Sequence, residues 1–182
     1  MEKNSCIFCN KSKLNIIFED ETFYVINTRR IGASPDYQCS QFTSNIETLC
    51  NQNQAGTSDI DVALRYIQQT ENLDFGFLGA MEADEDYSKG RDFYAVRLRK
   101  NSDNLTVGYL GTYVDRPVLN REAKVHTSDF EYRPNENLRL NGVLLNSKID
   151  DQNGYGFRAG YLRTPNKSFS GGMGIYYFDE KL

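Results

Sequence analysis

DIDVALRYIQQTENLDFGFLGAME, residues 59 to 82, alternates apolar and polar residues on both sides of a short polar break. Ile60, Val62, Leu64 and Tyr66 share one parity, and Asp59, Asp61, Ala63 and Arg65 share the other. Leu73, Phe75, Phe77 and Met81 then repeat the pattern against Asp74 and Glu82. Successive side chains of a strand point to opposite faces, so this spacing predicts two strands with one apolar face each; a helical spacing does not fit. Gln69 to Asn72 between them is turn chemistry, which makes the pair a β-hairpin.

The same rule extends along the chain. Tyr94, Val96 and Leu98 oppose Arg97 and Arg99; Leu105, Val107, Tyr109 and Tyr113 oppose Thr106 and Thr112. Leu138, Leu140 and Leu144 oppose Arg139 and Asn141, and Tyr155, Phe157, Ala159 and Tyr161 oppose Arg158. Phe169, Met173, Ile175 and Tyr177 close the series. One stretch breaks it: over 123–132, Val125 shares a parity with Asp129 and Glu131, while Phe130 and Tyr132 share theirs with His126. Compact turns are predicted at 69–72, 100–104, 133–137 and 164–168, and longer polar loops at 83–92, 115–121 and 148–154. Corresponding connections recur roughly every 31 to 33 residues, so the repeating unit is a hairpin.

Strands of about 12 residues at about 3.3 Å each reach about 40 Å, and a tilt near 45° brings that to about 28 Å, close to the hydrocarbon thickness of a bilayer. The expected fold is therefore all-β: an antiparallel meander of about eight long strands, resembling an open or partial transmembrane β-barrel. Aromatic residues, 13% of the chain, supply material for interface girdles. In that arrangement Arg97, Arg99, Arg139 and Arg158 line a lumen beside Asp74, Asp129 and Glu131. A soluble sheet that binds a ligand or partner through one face alternates for the same reason, and there these charges form the wet face.

Lys and Arg number 21 against 25 Asp and Glu, a net charge of -4, so no basic footprint for nucleic acid is present. The first residues lack the continuous apolar core of a secretory signal, and no apolar run has the length of a membrane helix, so the chain as written is expected in the cytoplasm. Three segments are expected: a short leader over 1–26, a polar, loop-rich stretch over 27–58, and the hairpin repeat over 59–182.

Arg29-Arg30-Ile31-Gly32, Val114-Asp115-Arg116-Pro117, the run FEYRPNENLRLNG at 130–142 and GYGFRAG at 154–160 together resemble a bacterial envelope family. It is the C-terminal domain of unknown function of large proteins whose N-terminal domain is a family-9-like carbohydrate-binding β-sandwich. The resemblance covers residues 27–182. It implies a fragment of an outer-membrane-type β-barrel with a structural or transport role, partnered by the lipid bilayer or the remainder of a longer barrel. Carbohydrate binding belongs to a domain absent here and is carried to no residue.

The opening is similar to the start of histidine-triad nucleotide-binding proteins, in Cys6-Ile7-Phe8-Cys9 and in the run IFEDETFYVI at 17–26. That chemistry needs a histidine nucleophile with neighbouring histidines, and the chain has only His126. The alternative it leaves is a truncated nucleotide-binding hydrolase without its active site, and the chain is expected not to be an enzyme.

Cys6 and Cys9 supply half of a tetrahedral zinc set, which makes zinc the one candidate cofactor. Cys39 and Cys50 enclose a polar loop that a disulfide would close in an oxidising compartment. Asp84, Glu85 and Asp86, and Asp150, Asp151 and Asn153, offer oxygen ligands of the type calcium accepts, yet neither group completes a calcium loop and solvated turns are expected.

Overall fold

The computed structural model describes residues 30–166 and 169–181. Eight strands form one antiparallel sheet in chain order: β1 (Ile60–Gln69), β2 (Leu73–Glu82), β3 (Asp92–Asn101), β4 (Leu105–Arg116), β5 (Arg121–Asn135), β6 (Leu138–Ile149), β7 (Gln152–Asn166) and β8 (Phe169–Phe178). The sheet is an open all-β meander whose edges are β1 and β8. No second sheet or helical layer is formed by the described residues; the strands pack against their sequence neighbours.

Two expected loops are partly taken up by strand. β4 runs to Arg116 and β5 starts at Arg121, so the polar stretch 115–121 shrinks to a 3-10 turn at Pro117–Leu119 and Asn120. Likewise β6 and β7 continue to Ile149 and from Gln152, leaving Asp150 and Asp151. Asn120 and Asp150 take positive φ of 48° and 52°, a left-handed conformation that Asn and Asp tolerate better than most residues, and this lets the chain reverse sharply. The Asp150 carboxylate then accepts the Glu122 N–H at 3.0 Å. Only the β2–β3 connection, 83–91, is long, so the expected alternation of short and long loops does not hold.

Within the polar stretch 27–58, the described part contains one helix, α1 (Ser44–Gln52). Thr43 precedes it in extended geometry and Glu47 lies in its first turn, where a carboxylate complements the helix dipole. A disulfide joins Cys39 to Cys50, Cα–Cα 5.6 Å, and ties the helix back to the turn before it.

Candidate functional site

The two faces of the sheet differ in chemistry. On the first, Val62, Leu64 and Tyr66 of β1 stand opposite Met81, Gly79 and Phe77 of β2, and the last two stand opposite Tyr94 and Val96 of β3. The rows continue through Tyr113, Gly111, Tyr109 and Val107 of β4. Beyond β5 they run through Leu140 and Leu144 of β6, Tyr161, Ala159 and Phe157 of β7, and Met173, Ile175 and Tyr177 of β8. These side chains are unusually open for their type: Leu144 is 64% exposed and Ile175 62%. Leu145, one residue later and on the other face, is 4% exposed.

The apolar band does not run straight across the strands. Cross-strand rows on this face descend from Val62–Met81–Asp92–Asp115–Glu122 at one end to Leu105–Tyr132–Leu140–Tyr161–Met173 at the other. In β1 the apolar residues occupy Val62 to Tyr66, and Gln68 is already polar. In β5 the same end is Glu122, Lys124, His126 and Ser128, and apolar residues begin only at Phe130 and Tyr132. β5, which breaks the alternation in sequence, therefore obeys the register; it meets the band only in its second half. From β1 to β8 the band shifts by about three rows of about 6.8 Å over a sheet width of about 34 Å, an obliquity of about 30°.

Tyrosines mark at least one end of the apolar run in six of the eight strands, and β2 and β6 carry none on this face. Tyr66 ends the run in β1, Tyr94 begins that in β3, Tyr113 ends that in β4, Tyr132 ends that in β5 and Tyr177 ends that in β8, while Tyr155 and Tyr161 bracket the run in β7. Tyr109 alone among these sits mid-run; its hydroxyl and His126 Nδ1 share a hydrogen bond of 2.7 Å. The Lys124 ammonium lies 5.3 Å from the centre of the Tyr113 ring. Close packing within the band needs glycine at 142, because a Cβ there would lie 2.4 Å from the Phe130 ring.

The second face is divided. Toward the β2–β3 loop it carries small and apolar residues, with Ala63, Ala80, Phe93, Val114 and Ala123 in one row. Toward the other end it carries charge: Gln69, Asp74, Arg99, Gly108, Asp129, Val143, Arg158 and Tyr176 form one continuous row. Arg97 of β3 reaches across β4 to make a bidentate pair with Asp129 of β5. Gly108 lies under that pair, and a Cβ there would sit 2.5 Å from Arg97 Nη2 and 2.6 Å from Asp129 Oδ1. Glu131 binds both Arg133 and Arg139, and the Asn101 amide donates to Asp74 at 3.3 Å.

Residues 30–58 are fastened to one end of the sheet by buried charge. Arg91 Nε donates to Glu82 Oε2 at 2.5 Å, Arg91 Nη2 donates to the Ala33 carbonyl at 2.9 Å, and the Gly32 N–H donates to Glu82 Oε1 at 2.8 Å. Arg116 Nε donates to Asp36 Oδ2 at 2.8 Å, while Ser88 Oγ donates to the Asp36 carbonyl at 2.6 Å. The hydrogen bond from Arg116 holds the Asp36 carboxyl below the ordinary 3.8, outweighing burial, which acts the other way. Phe42 packs edge-on against Tyr87 at 6.1 Å, so the disulfide-closed loop also touches the β2–β3 connection.

Of the residues singled out in sequence, Cys6 and Cys9 lie outside the described residues. Asp84 accepts Lys89 Nζ at 2.5 Å and the Gly90 N–H at 3.0 Å, so it closes a loop, and Lys89 holds its carboxyl low. Among the described residues no group of three His, Cys, Asp or Glu is placed to hold a metal, and no helix is long and apolar enough to cross a membrane. The Asp36–Arg116 pair was missed in sequence, since its members are 80 residues apart and neither belongs to a local pattern. No family model, curated protein or solved structure matches the chain.

Proposed function

We propose that the chain is a non-catalytic segment of an outer-membrane-type β-barrel, with its apolar band toward lipid and its charged face toward a lumen, in a structural or transport role. The observation that carries this reading is the tyrosine-bounded band running obliquely across the strands. A soluble sheet that buries one face against a partner has no need for tyrosines at both margins of that face. A lipid slab asks for them, since Tyr places its ring in the apolar zone and its hydroxyl at the headgroups. The obliquity of about 30° approaches the 35–45° at which barrel strands cross a bilayer. Leu73 to Met81 and Leu105 to Tyr113 each extend about 27 Å, or about 23 Å once tilted, against an apolar band of about 25 Å in such barrels. The resemblance of residues 27–182 to the envelope family points the same way and leaves any carbohydrate to a separate domain.

The chain contains no tryptophan, so a single introduced indole reports its own depth. Val96→Trp, Tyr155→Trp and Lys124→Trp, folded into vesicles with brominated acyl chains, are expected to give strong, intermediate and negligible quenching in that order. Equal quenching at the three positions, or none, would overturn the lipid assignment.

A further inference from the structure

We infer that the second face holds an oxyanion site between Arg139 of β6 and Arg158 of β7, for the phosphate, sulfate or carboxylate group of a water-borne solute. The inference deepens the lumen reading above and rests on it for the route by which the solute arrives. Cations are sorted by face. Every lysine of the eight strands, Lys100, Lys124 and Lys148, stands on the first face, whereas Arg97, Arg99, Arg139 and Arg158 stand on the second. A guanidinium offers five N–H donors in a planar fork that fits two oxygens of an oxyanion at once, which an ammonium does not. Carboxylates do not balance these guanidiniums one for one: Arg97 is matched by Asp129, but Arg133 and Arg139 share the single carboxylate of Glu131. The surroundings of Arg139 are therefore positive in a chain whose net charge is -4.

The register supplies a seat between them. Along β6 and β7, Arg139 stands opposite Leu162, Asn141 opposite Gly160 and Val143 opposite Arg158. Arg139 and Arg158 therefore flank Gly160 from two sides, about 14 Å apart along the strands, a span that two arginine side chains can bridge with an oxyanion between them. Gly160 in turn pairs with Gly174 of β8, so two successive strands present no side chain at this level. On the other side Asn141, 7% exposed, adds a side-chain amide to the donors. Arg139 keeps 30% of its side chain exposed and Arg158 is half-buried, so the stems are held by the sheet while the guanidiniums are open to a solute. The seat faces away from the apolar band, which assigns it to a solute in water and not to a lipid headgroup. Passages lined by arginine favour anions, so the same residues set the charge of what the second face admits.

The site is tested by calorimetric titration of inorganic pyrophosphate into the full chain folded in a non-ionic maltoside detergent. The unchanged chain is expected to bind, and Arg139→Gln with Arg158→Gln to weaken binding at least about tenfold. Gly160→Val leaves every charge in place and fills the seat, and it is expected to weaken binding by a similar factor. Lys124→Gln with Lys148→Gln removes the same charge from the first face and is expected to change the affinity less than about twofold. No binding by the unchanged chain, or full affinity in Gly160→Val, would overturn the site. Equal losses in the arginine and lysine pairs would overturn it in favour of general charge attraction. If the arginine pair fails to fold by near-UV circular dichroism, Gly160→Val decides alone. Flotation with phosphatidylcholine vesicles separates this inference from the reading beneath it. A chain that binds pyrophosphate without floating retains the site and loses the lipid assignment; one that floats without binding retains the lipid assignment and loses the site.

Discussion

Leu144 and Leu145 are the same residue type, adjacent in one strand, and their exposures of 64% and 4% are opposite in rank. Ordinary globular packing would bury the large apolar row and leave the charged one wet. Here the face bearing Leu144 and Ile175 is open, while the face bearing Leu145, Ala95, Asp74 and Thr127 is the enclosed one. The difference teaches that the solvent of the first face is part of the design. A sheet of this kind is completed by whatever covers its apolar band, and its charges must find partners within the protein, as Arg97 does in Asp129.

The sharpest way to break this comparison is to place charge on the wrong face. Val96→Arg, at the middle of the band, is expected to cost about 2–4 kcal/mol of folding free energy in vesicles, measured by urea titration, and Leu105→Arg at the margin about 0–1 kcal/mol. Equal costs at the two depths would contradict a slab-like environment. The next effect concerns the enclosed face. Gly108→Ala pushes a methyl group into the Arg97–Asp129 pair and is expected to cost about 1–3 kcal/mol. In Arg97→Ala with Asp129→Ala the obstruction has nothing to meet, so adding Gly108→Ala there is expected to cost under about 0.5 kcal/mol, and the full cost persisting would reject this origin.

The smallest effect lies at the fastening of residues 30–58. Because Arg116 depresses the Asp36 carboxyl, the stabilising contribution of Asp36 is present above the ordinary 3.8 and is lost as the pH falls through the lower folded-state value. Protection of amides in 30–58 against hydrogen exchange is expected to hold from neutral pH to about pH 4 and to fall below it, with β3 to β6 unaffected. In Arg116→Ala that acid step is expected to disappear. A step of unchanged size in this variant would mean that another group controls the fastening.

Strand identity and facing were legible in the sequence because parity survives any tilt: each of Tyr94, Val96 and Leu98 faces the same way wherever the band ends. The extent of the strands was not. Asp115, Arg116, Arg121 and Lys148 lie beyond the apolar band but still within the ladder, and polar composition read them as loop. The true limits are set by single left-handed residues, Asn120 and Asp150, whose backbone conformation has no signature in polarity. β5 looked irregular for the same reason, since a pattern read along one strand cannot reveal where neighbouring strands place the band. α1 was too short for a helical period to stand out, and the Glu82–Arg91 and Asp36–Arg116 contacts depend on chain segments that only the folded sheet brings together.

Since the eight described strands pair in chain order within the sheet, the order of assembly is written into the connectivity. No strand must wait for a distant segment before pairing, so loop-closure entropy is met in small instalments and growth proceeds as a zipper from any nucleated hairpin. The growing edge is then always a single strand presenting the next vacancy, and the chain needs no threading step to complete its eight-stranded ribbon.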